Sequence, residues 1–138
     1  MRPLSTIALL LTLVAAQISA ADWSQFRGPG GSGVSDAEGA PLKWTDTEGL
    51  AWKTDLPGPG TSSPIVFGNK IFLTCYTGVA PGRGASLDDL KRHLLCLDRA
   101  TGKLLWNTPV PAELPEQSGI REDHGYATST PVADAERV

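Results

Sequence analysis

A short internal repeat constrains the fold of this 138-residue chain more than any other feature. Residues 62–66 read Ser-Ser-Pro-Ile-Val, and residues 129–133 read Ser-Thr-Pro-Val-Ala, which places the second copy 67 positions after the first. Self-similarity at a fixed offset is typical of architectures in which one supersecondary unit packs beside the next. The repeat therefore predicts one complete unit and the start of another.

A second repeated run is centred on tryptophan. Residues 50–54 (Leu-Ala-Trp-Lys-Thr) match residues 104–108 (Leu-Leu-Trp-Asn-Thr), 54 positions apart. The predicted order is thus a tryptophan strand, a unit, a second tryptophan strand and the start of a new unit. In a closed ring the first tryptophan strand would serve as the outer strand of the last unit and close the circle.

The apolar runs from residue 62 onward have the length of β-strands. They cover residues 62–67, 70–76, 93–98 and 104–108. The pair Gly68-Asn69 between the first two runs is typical of a tight hairpin turn. The 15 glycines and 11 prolines favour short strands joined by turns over long helices. We predict an all-β fold: one four-stranded antiparallel blade of a β-propeller, plus the start of a second blade in an incomplete ring.

The predicted organisation has six parts. They are a signal peptide (1–21), an irregular N-terminal arm pinned to the domain by its aromatic residues (22–49), a tryptophan strand that could close the last blade (50–55), a first blade (61–110) with an insertion (77–92), a linker loop (111–125) and the start of a second blade (126–138).

The first residues have the pattern of a secretory signal peptide. The basic residue Arg2 precedes an apolar stretch at residues 4–16, and small residues follow up to Ala21. Because this stretch is too short to span a bilayer comfortably, we predict no transmembrane segment. Cleavage after Ala20 or Ala21 would release an exported protein, periplasmic or extracellular. The net charge is −3 and the sequence contains no basic run, so no nucleic-acid partner is predicted.

A turn motif carries the resemblance to a known family. The pattern Asp98-x-x-Thr101-Gly102-x-x-x-Trp106 resembles the tryptophan-docking motif of PQQ-type (quinoprotein-like) β-propeller repeats. Asp98 and Thr101 are expected to hydrogen-bond backbone amides of the turn, and Gly102 to supply a positive φ. Trp106 is expected to bury its ring between neighbouring blades. The opening at residues 22–29 (Asp-Trp-Ser-Gln-Phe-Arg-Gly-Pro) also looks like that of exported bacterial repeat proteins of this kind.

The resemblance implies a fold and leaves several functions open. Quinoprotein dehydrogenases of the family hold PQQ and a calcium ion at the propeller centre, but no cofactor-binding or catalytic residue can be assigned in this sequence. Relatives with the same repeats act as scaffolds without a cofactor. The sequence therefore leaves three hypotheses: a non-catalytic module that binds a protein or small-molecule ligand at the propeller face, the N-terminal part of a PQQ-dependent oxidoreductase, or a fragment without independent function.

The two cysteines, Cys75 and Cys96, lie in strand-like runs of a chain predicted to be exported. If the two runs pair so that these residues stand opposite each other, a disulfide between them can form, provided that the Cβ geometry suits it. The alternative is two buried thiols that act as small apolar side chains.

One cluster has acid–base or metal-binding character. Glu122, Asp123 and His124 are consecutive, and Asp123 with His124 could bind a divalent metal or exchange protons. The alternative is a solvated loop. His93, at the start of a predicted strand, is expected to be exposed or at a sheet edge and without a functional role.

Overall fold

A single β-sheet organises the chain. The computed structural model describes residues 21–79, 87–113 and 124–138. Its strands are β1 (Ile65–Phe67), β2 (Lys70–Thr77), β3 (Lys91–Asp98) and β4 (Leu104–Pro111). They are antiparallel and stand in the order β1-β2-β3-β4, which confirms the predicted all-β meander. In the described ranges no helix is long and apolar enough to cross a membrane. Apart from Ala21, the predicted signal peptide lies outside these ranges.

Strand β1 is shorter than the sequence predicts. It begins at Ile65, three residues after the predicted start, because Pro64 has no N–H to offer to a ladder. Ser62 compensates through its side chain. Its hydroxyl accepts a hydrogen bond from the Thr74 amide at 2.9 Å and lies 3.1 Å from the Thr74 carbonyl oxygen, to which it donates. The chain therefore still follows the edge of β2 where the regular ladder has ended.

The predicted tryptophan strand at residues 50–55 is wrong as a strand, because the segment has no regular secondary structure. Side chains hold it instead. Trp52 donates from its indole nitrogen to the Arg99 carbonyl oxygen at 2.9 Å, and Thr54 donates from its hydroxyl to the Gly102 carbonyl oxygen at 2.7 Å. The segment therefore packs on the turn between β3 and β4 through side chains and does not pair as a strand.

The sheet buries side chains on both faces. We call the face of Phe72 and Cys96 the front face. These two residues stand opposite each other on β2 and β3. Two buried clusters cover this face. The first comprises Ile65, Phe72, Cys96 and Ala133, and the second comprises Tyr76, Leu90 and Ala127. Ala127 and Ala133 come from the segment after β4, so the end of the chain closes the core of the sheet.

The two copies of the Ser-Pro repeat lie side by side. The Ser63 amide donates to the Thr130 hydroxyl at 3.1 Å, and the Thr61 amide donates to the Ala127 carbonyl oxygen at 2.9 Å. The second copy forms no strand of its own among the described residues. It nevertheless lies beside the first copy, and the bonded residues Ser63 and Thr130 occupy equivalent positions of the repeat.

The N-terminal arm is held by one aromatic residue rather than several. Trp23 forms an antiparallel bridge with Val66 of β1. Phe26 and Trp44 are 61% and 70% exposed, so the prediction that the aromatic residues together pin the arm is wrong. Residues 32–50 are exposed throughout.

Candidate functional site

Asp98 organises the turn between β3 and β4 through hydrogen bonds of its carboxylate and of its main chain. One carboxylate oxygen accepts from the Thr101 amide at 2.8 Å and from the Thr101 hydroxyl at 2.7 Å. The other accepts from the Asn69 side-chain amide at 3.0 Å. The main chain closes the turn as well, because the Gly102 amide donates to the Asp98 carbonyl oxygen at 2.8 Å. Asp98 and Thr101 therefore form the predicted hydrogen bonds.

Gly102 lets an aromatic ring lie on this turn. Its φ of +70° is the positive value that the sequence predicts. A Cβ atom at this position would overlap the ring of Trp52 and come within 2.7 Å of the Thr54 hydroxyl oxygen. The ring of Trp52 thus packs on this turn, which we call the receptor turn. The sequence signal for this contact is the repeat itself, since Trp52 occupies the same position of its run as Trp106.

Trp106, the tryptophan of the predicted motif, does not touch that turn. It lies on β4 opposite Cys96, with its ring centroid 5.9 Å from that of Phe72, and it is 36% exposed. All eight residues of β4 are exposed. The ring that the motif predicts to be buried between blades is therefore on an open part of the front face.

The hydrogen bonds around Asp98 also change its acidity. The Thr101 hydroxyl, followed by the Thr101 amide, lowers the pKa of Asp98 below its ordinary value, because these donors stabilise the ionised carboxylate. A second acid behaves in the same way: the amides of Glu136 and Arg137 lower the pKa of Asp134. Both carboxylates accept hydrogen bonds from backbone amides of their own turns.

The predicted disulfide is not formed, and both cysteines are free. The register pairs Cys75 with His93 and Cys96 with Phe72, so the expected opposition of the two cysteines is wrong. Because Phe72 is three residues from Cys75, the cysteines point to opposite faces of the sheet and stand roughly 10 Å apart along it. The connection between β2 and β3 is too long to fix the register of the two strands. The burial of Phe72 opposite Cys96 sets this register instead.

Burial makes both thiols poor nucleophiles. Cys75 and Cys96 have no exposed surface, and this burial raises the pKa of each thiol. A hydrogen bond with the Gly58 backbone offsets part of the effect at Cys75, and the charge of Lys70 does so at Cys96. Since the thiolate is the reactive form, these cysteines behave as the small apolar core residues of the alternative prediction.

His93 is buried, with 8% exposure, so the prediction of an exposed histidine is wrong. Its Nδ1 lies 2.9 Å from the Asn107 Oδ1, and its Nε2 lies 2.8 Å from the Thr77 hydroxyl oxygen. Because the side-chain carbonyl oxygen of Asn107 only accepts, Nδ1 donates to it, and in the neutral imidazole Nε2 accepts from the Thr77 hydroxyl. The imidazole therefore ties β3 to both of its neighbours, β2 and β4.

A groove of about 560 Å³ lies at the other end of the sheet. It is lined by Thr74, Arg92, His124, Gly125, Tyr126, Ala127, Thr128 and Ser129. Arg92 donates to the Tyr126 carbonyl oxygen at 3.0 Å, and the Thr61 hydroxyl donates to that of His124 at 2.9 Å. Of the predicted metal pair, His124 is exposed at this groove, while Asp123 lies outside the described residues.

Within the described ranges, no three histidine, cysteine or acidic residues are grouped so that they could hold a metal ion. Comparison with known proteins adds no identification: no family model, curated protein or solved structure matches this chain.

Proposed function

We propose that this chain supplies the first blade of an exported β-propeller of the PQQ-type repeat class, and that the propeller acts as a non-catalytic binding or scaffold module. The four-stranded antiparallel meander has the strand order of a blade. In such a ring β1 would be the inner strand and β4 the outer one. The ring, the second blade and the binding role are all parts of the proposal.

The observation that carries the proposal is the position of the second Ser-Pro copy. It lies beside the residues that lead into β1, with Ser63 hydrogen-bonded to Thr130, on the side where the inner strand of a neighbouring blade would lie. The contact of Thr74 with the Ser129 carbonyl oxygen, at 3.1 Å, fixes the same alignment. Because equivalent residues of consecutive repeats are adjacent, the geometry favours a radial array over a single sheet that continues sideways.

The binding role is favoured over catalysis by what the reactive side chains do. Both nitrogens of His93 are used in cross-strand hydrogen bonds, and Cys75 and Cys96 are buried with raised pKa values. PQQ with calcium would need acidic, asparagine and arginine groups beside the inner strand. Among the described residues, that edge is occupied by the main chain of Trp23 and Ser24, which does not fit such a group.

A quinone titration separates the two functions. The full chain is incubated with PQQ and calcium chloride, and bound quinone is measured by absorbance while dye reduction is followed with alcohols and sugars. We expect neither saturable quinone binding nor dye reduction. Stoichiometric binding accompanied by turnover contradicts the non-catalytic role and favours the oxidoreductase.

Export is tested at the N-terminus. The chain is expressed in a bacterium and recovered from the periplasm or the medium, and its intact mass is measured. We expect a mature chain that begins at Ala21 or Asp22. A protein that retains residues 1–20 and stays in the cytoplasm contradicts this part of the proposal.

A further inference from the structure

The N-terminal arm lies between the edge of β1 and the segment that contains Ala133, which has no regular secondary structure. Both main-chain groups of Val66 that point away from β2 bond to Trp23: the Trp23 amide donates to the Val66 carbonyl oxygen at 2.8 Å, and the Val66 amide donates to that of Trp23 at 2.9 Å. On the other side, the Ala133 amide donates to the Ser24 carbonyl oxygen at 2.9 Å. The consecutive residues Trp23 and Ser24 thus bond in opposite directions, as consecutive residues do in a strand between two neighbours.

Side chains add selectivity to this backbone pairing. One carboxylate oxygen of Asp22 accepts from the Gly68 amide, at 2.7 Å, beside the hairpin turn between β1 and β2. The Trp23 ring lies against Gly28, where any Cβ atom would overlap it. The segment therefore binds through an extended backbone, a carboxylate and an aromatic ring at consecutive positions.

The arm is attached to the blade by an exposed tether. Residues 32–50 are exposed throughout and form no helix or strand. The tether therefore adds no strand pairing that opposes release of residues 22–24, and none of the hydrogen bonds that hold this segment belongs to the β2–β3–β4 ladder. Once released, the amides of Val66, Gly68 and Ala133 would present unpaired donors, and an edge of this kind is a template for an added strand.

We propose that the edge formed by Val66, Gly68 and Ala133 is a binding site for an extended peptide that carries a carboxylate side chain followed by an aromatic one, and that residues 22–24 occupy this site in cis. The segment acts as an internal ligand that a partner peptide of the same chemistry replaces. This inference deepens the binding role proposed above by giving it a site. Its test involves neither quinone nor ring closure, so the two proposals can fail separately.

The first experiment weakens the internal ligand. In the full chain carrying Trp23→Ala, amide hydrogen exchange is measured by NMR, with Trp44→Ala as the matched control because Trp44 lies exposed in the same arm. We expect the amides of Val66, Gly68 and Ala133 to exchange at least tenfold faster in Trp23→Ala, and those of the β2–β3 ladder to stay protected. Gly28→Ala, which displaces the ring without removing it, is a second route to the same result. Unchanged exchange in both variants overturns the proposal.

The second experiment supplies the ligand in trans. A fluorescent peptide with the sequence of residues 21–28 is titrated into Trp23→Ala. We expect saturable 1:1 binding and restored protection of the three amides. The same peptide carrying Asp22→Asn is expected to bind roughly fivefold more weakly, and the one carrying Trp23→Ala at least tenfold more weakly. Equal affinity for all three peptides, or no binding at millimolar concentration, overturns the proposal.

A second copy of the chain is the competing occupant. If wild-type chains exchange their arms, size-exclusion chromatography with light scattering shows a concentration-dependent dimer that Trp23→Ala abolishes. That result overturns a partner peptide as the occupant. A monomer at every concentration, together with peptide binding to Trp23→Ala, supports it.

Discussion

Trp52 and Trp106 occupy the same position of a repeated five-residue run, but they have different environments. Trp52 lies on the turn between β3 and β4, its indole nitrogen bonded to the Arg99 carbonyl oxygen and its ring against Gly102. Trp106 lies on the front face beside Phe72 and is 36% exposed. The difference arises because the described residues contain one such turn, and the ring of Trp52 already packs on it.

The comparison also explains why the backbones of the two runs differ. Residues 104–108 lie in β4, which pairs with β3. Residues 50–54 have no regular structure and are held by the side chains of Trp52 and Thr54. A tryptophan run of this kind thus needs either a strand beside it or a turn beneath it. In the proposed propeller each run would have both.

The largest expected effect comes from removing each ring in turn. Trp52→Ala loses the packing on the turn and the hydrogen bond to Arg99, so we expect the free energy of unfolding to fall by about 3 kcal/mol, the lower end for aromatic truncation, because the ring is half-buried. Trp106→Ala loses mainly its contact with Phe72, and we expect a loss of about 1 kcal/mol. Urea unfolding followed by circular dichroism measures both values. Equal losses would remove the distinction between a docked and an undocked tryptophan.

The receptor side of the comparison is tested at glycine. Gly102→Ala introduces a Cβ atom at a φ of +70° and into the Trp52 ring, so we expect a loss of roughly 2 kcal/mol from strain and overpacking together. Gly30→Ala is the matched control, because its φ is +63° but no atom lies within 4 Å of the added group. It should cost about 1 kcal/mol from backbone strain alone. If the free energy of unfolding falls equally in both variants, the packing of the Trp52 ring does not require a residue without a side chain at position 102.

Local patterns in the sequence predict most of the sheet. The meander, the hairpin at Gly68 and the positive φ at Gly102 follow from turn residues and strand-length apolar runs. Boundaries depend on non-local contacts and are less accurate, as the late start of β1 after Pro64 shows. A propeller or ring requires neighbours for this sheet, and the sequence repeat together with the position of its second copy supports that proposal.

The site residues show the same division between features that follow from local sequence and features that depend on non-local contacts. Asp98 and Thr101 act within one turn, so their hydrogen bonds can be predicted from spacing. The relation of Cys75 to Cys96 depends on the β2–β3 register, and a shift of three residues separates two thiols that the sequence appeared to align. The burial of His93 depends on Asn107 and Thr77 from two other strands, and no local pattern contains that information.

The smallest expected effect concerns the charge that shapes the receptor turn. Hydrogen bonds from Thr101 lower the pKa of Asp98 in the folded chain, so the ionised carboxylate stabilises the fold above the unfolded value of about 3.9. This stabilisation is lost as the pH falls through the lower folded pKa. Asp98→Asn is therefore expected to unfold at a lower urea concentration than wild type at pH 7, and the gap is expected to close toward pH 2.

The pH dependence of that gap isolates Asp98 from the other acids. Asp134, whose pKa is lowered by the amides of Glu136 and Arg137, remains in both proteins, so its protonation destabilises them equally and cancels in the difference. Asp36→Asn, in the exposed tether, is the control and should show no gap at either pH. A gap for Asp98→Asn that stays constant from pH 7 to pH 2 would mean that the turn is held by side-chain shape rather than charge. Protonation of Asp98 would then leave the packing of Trp52 on this turn unchanged.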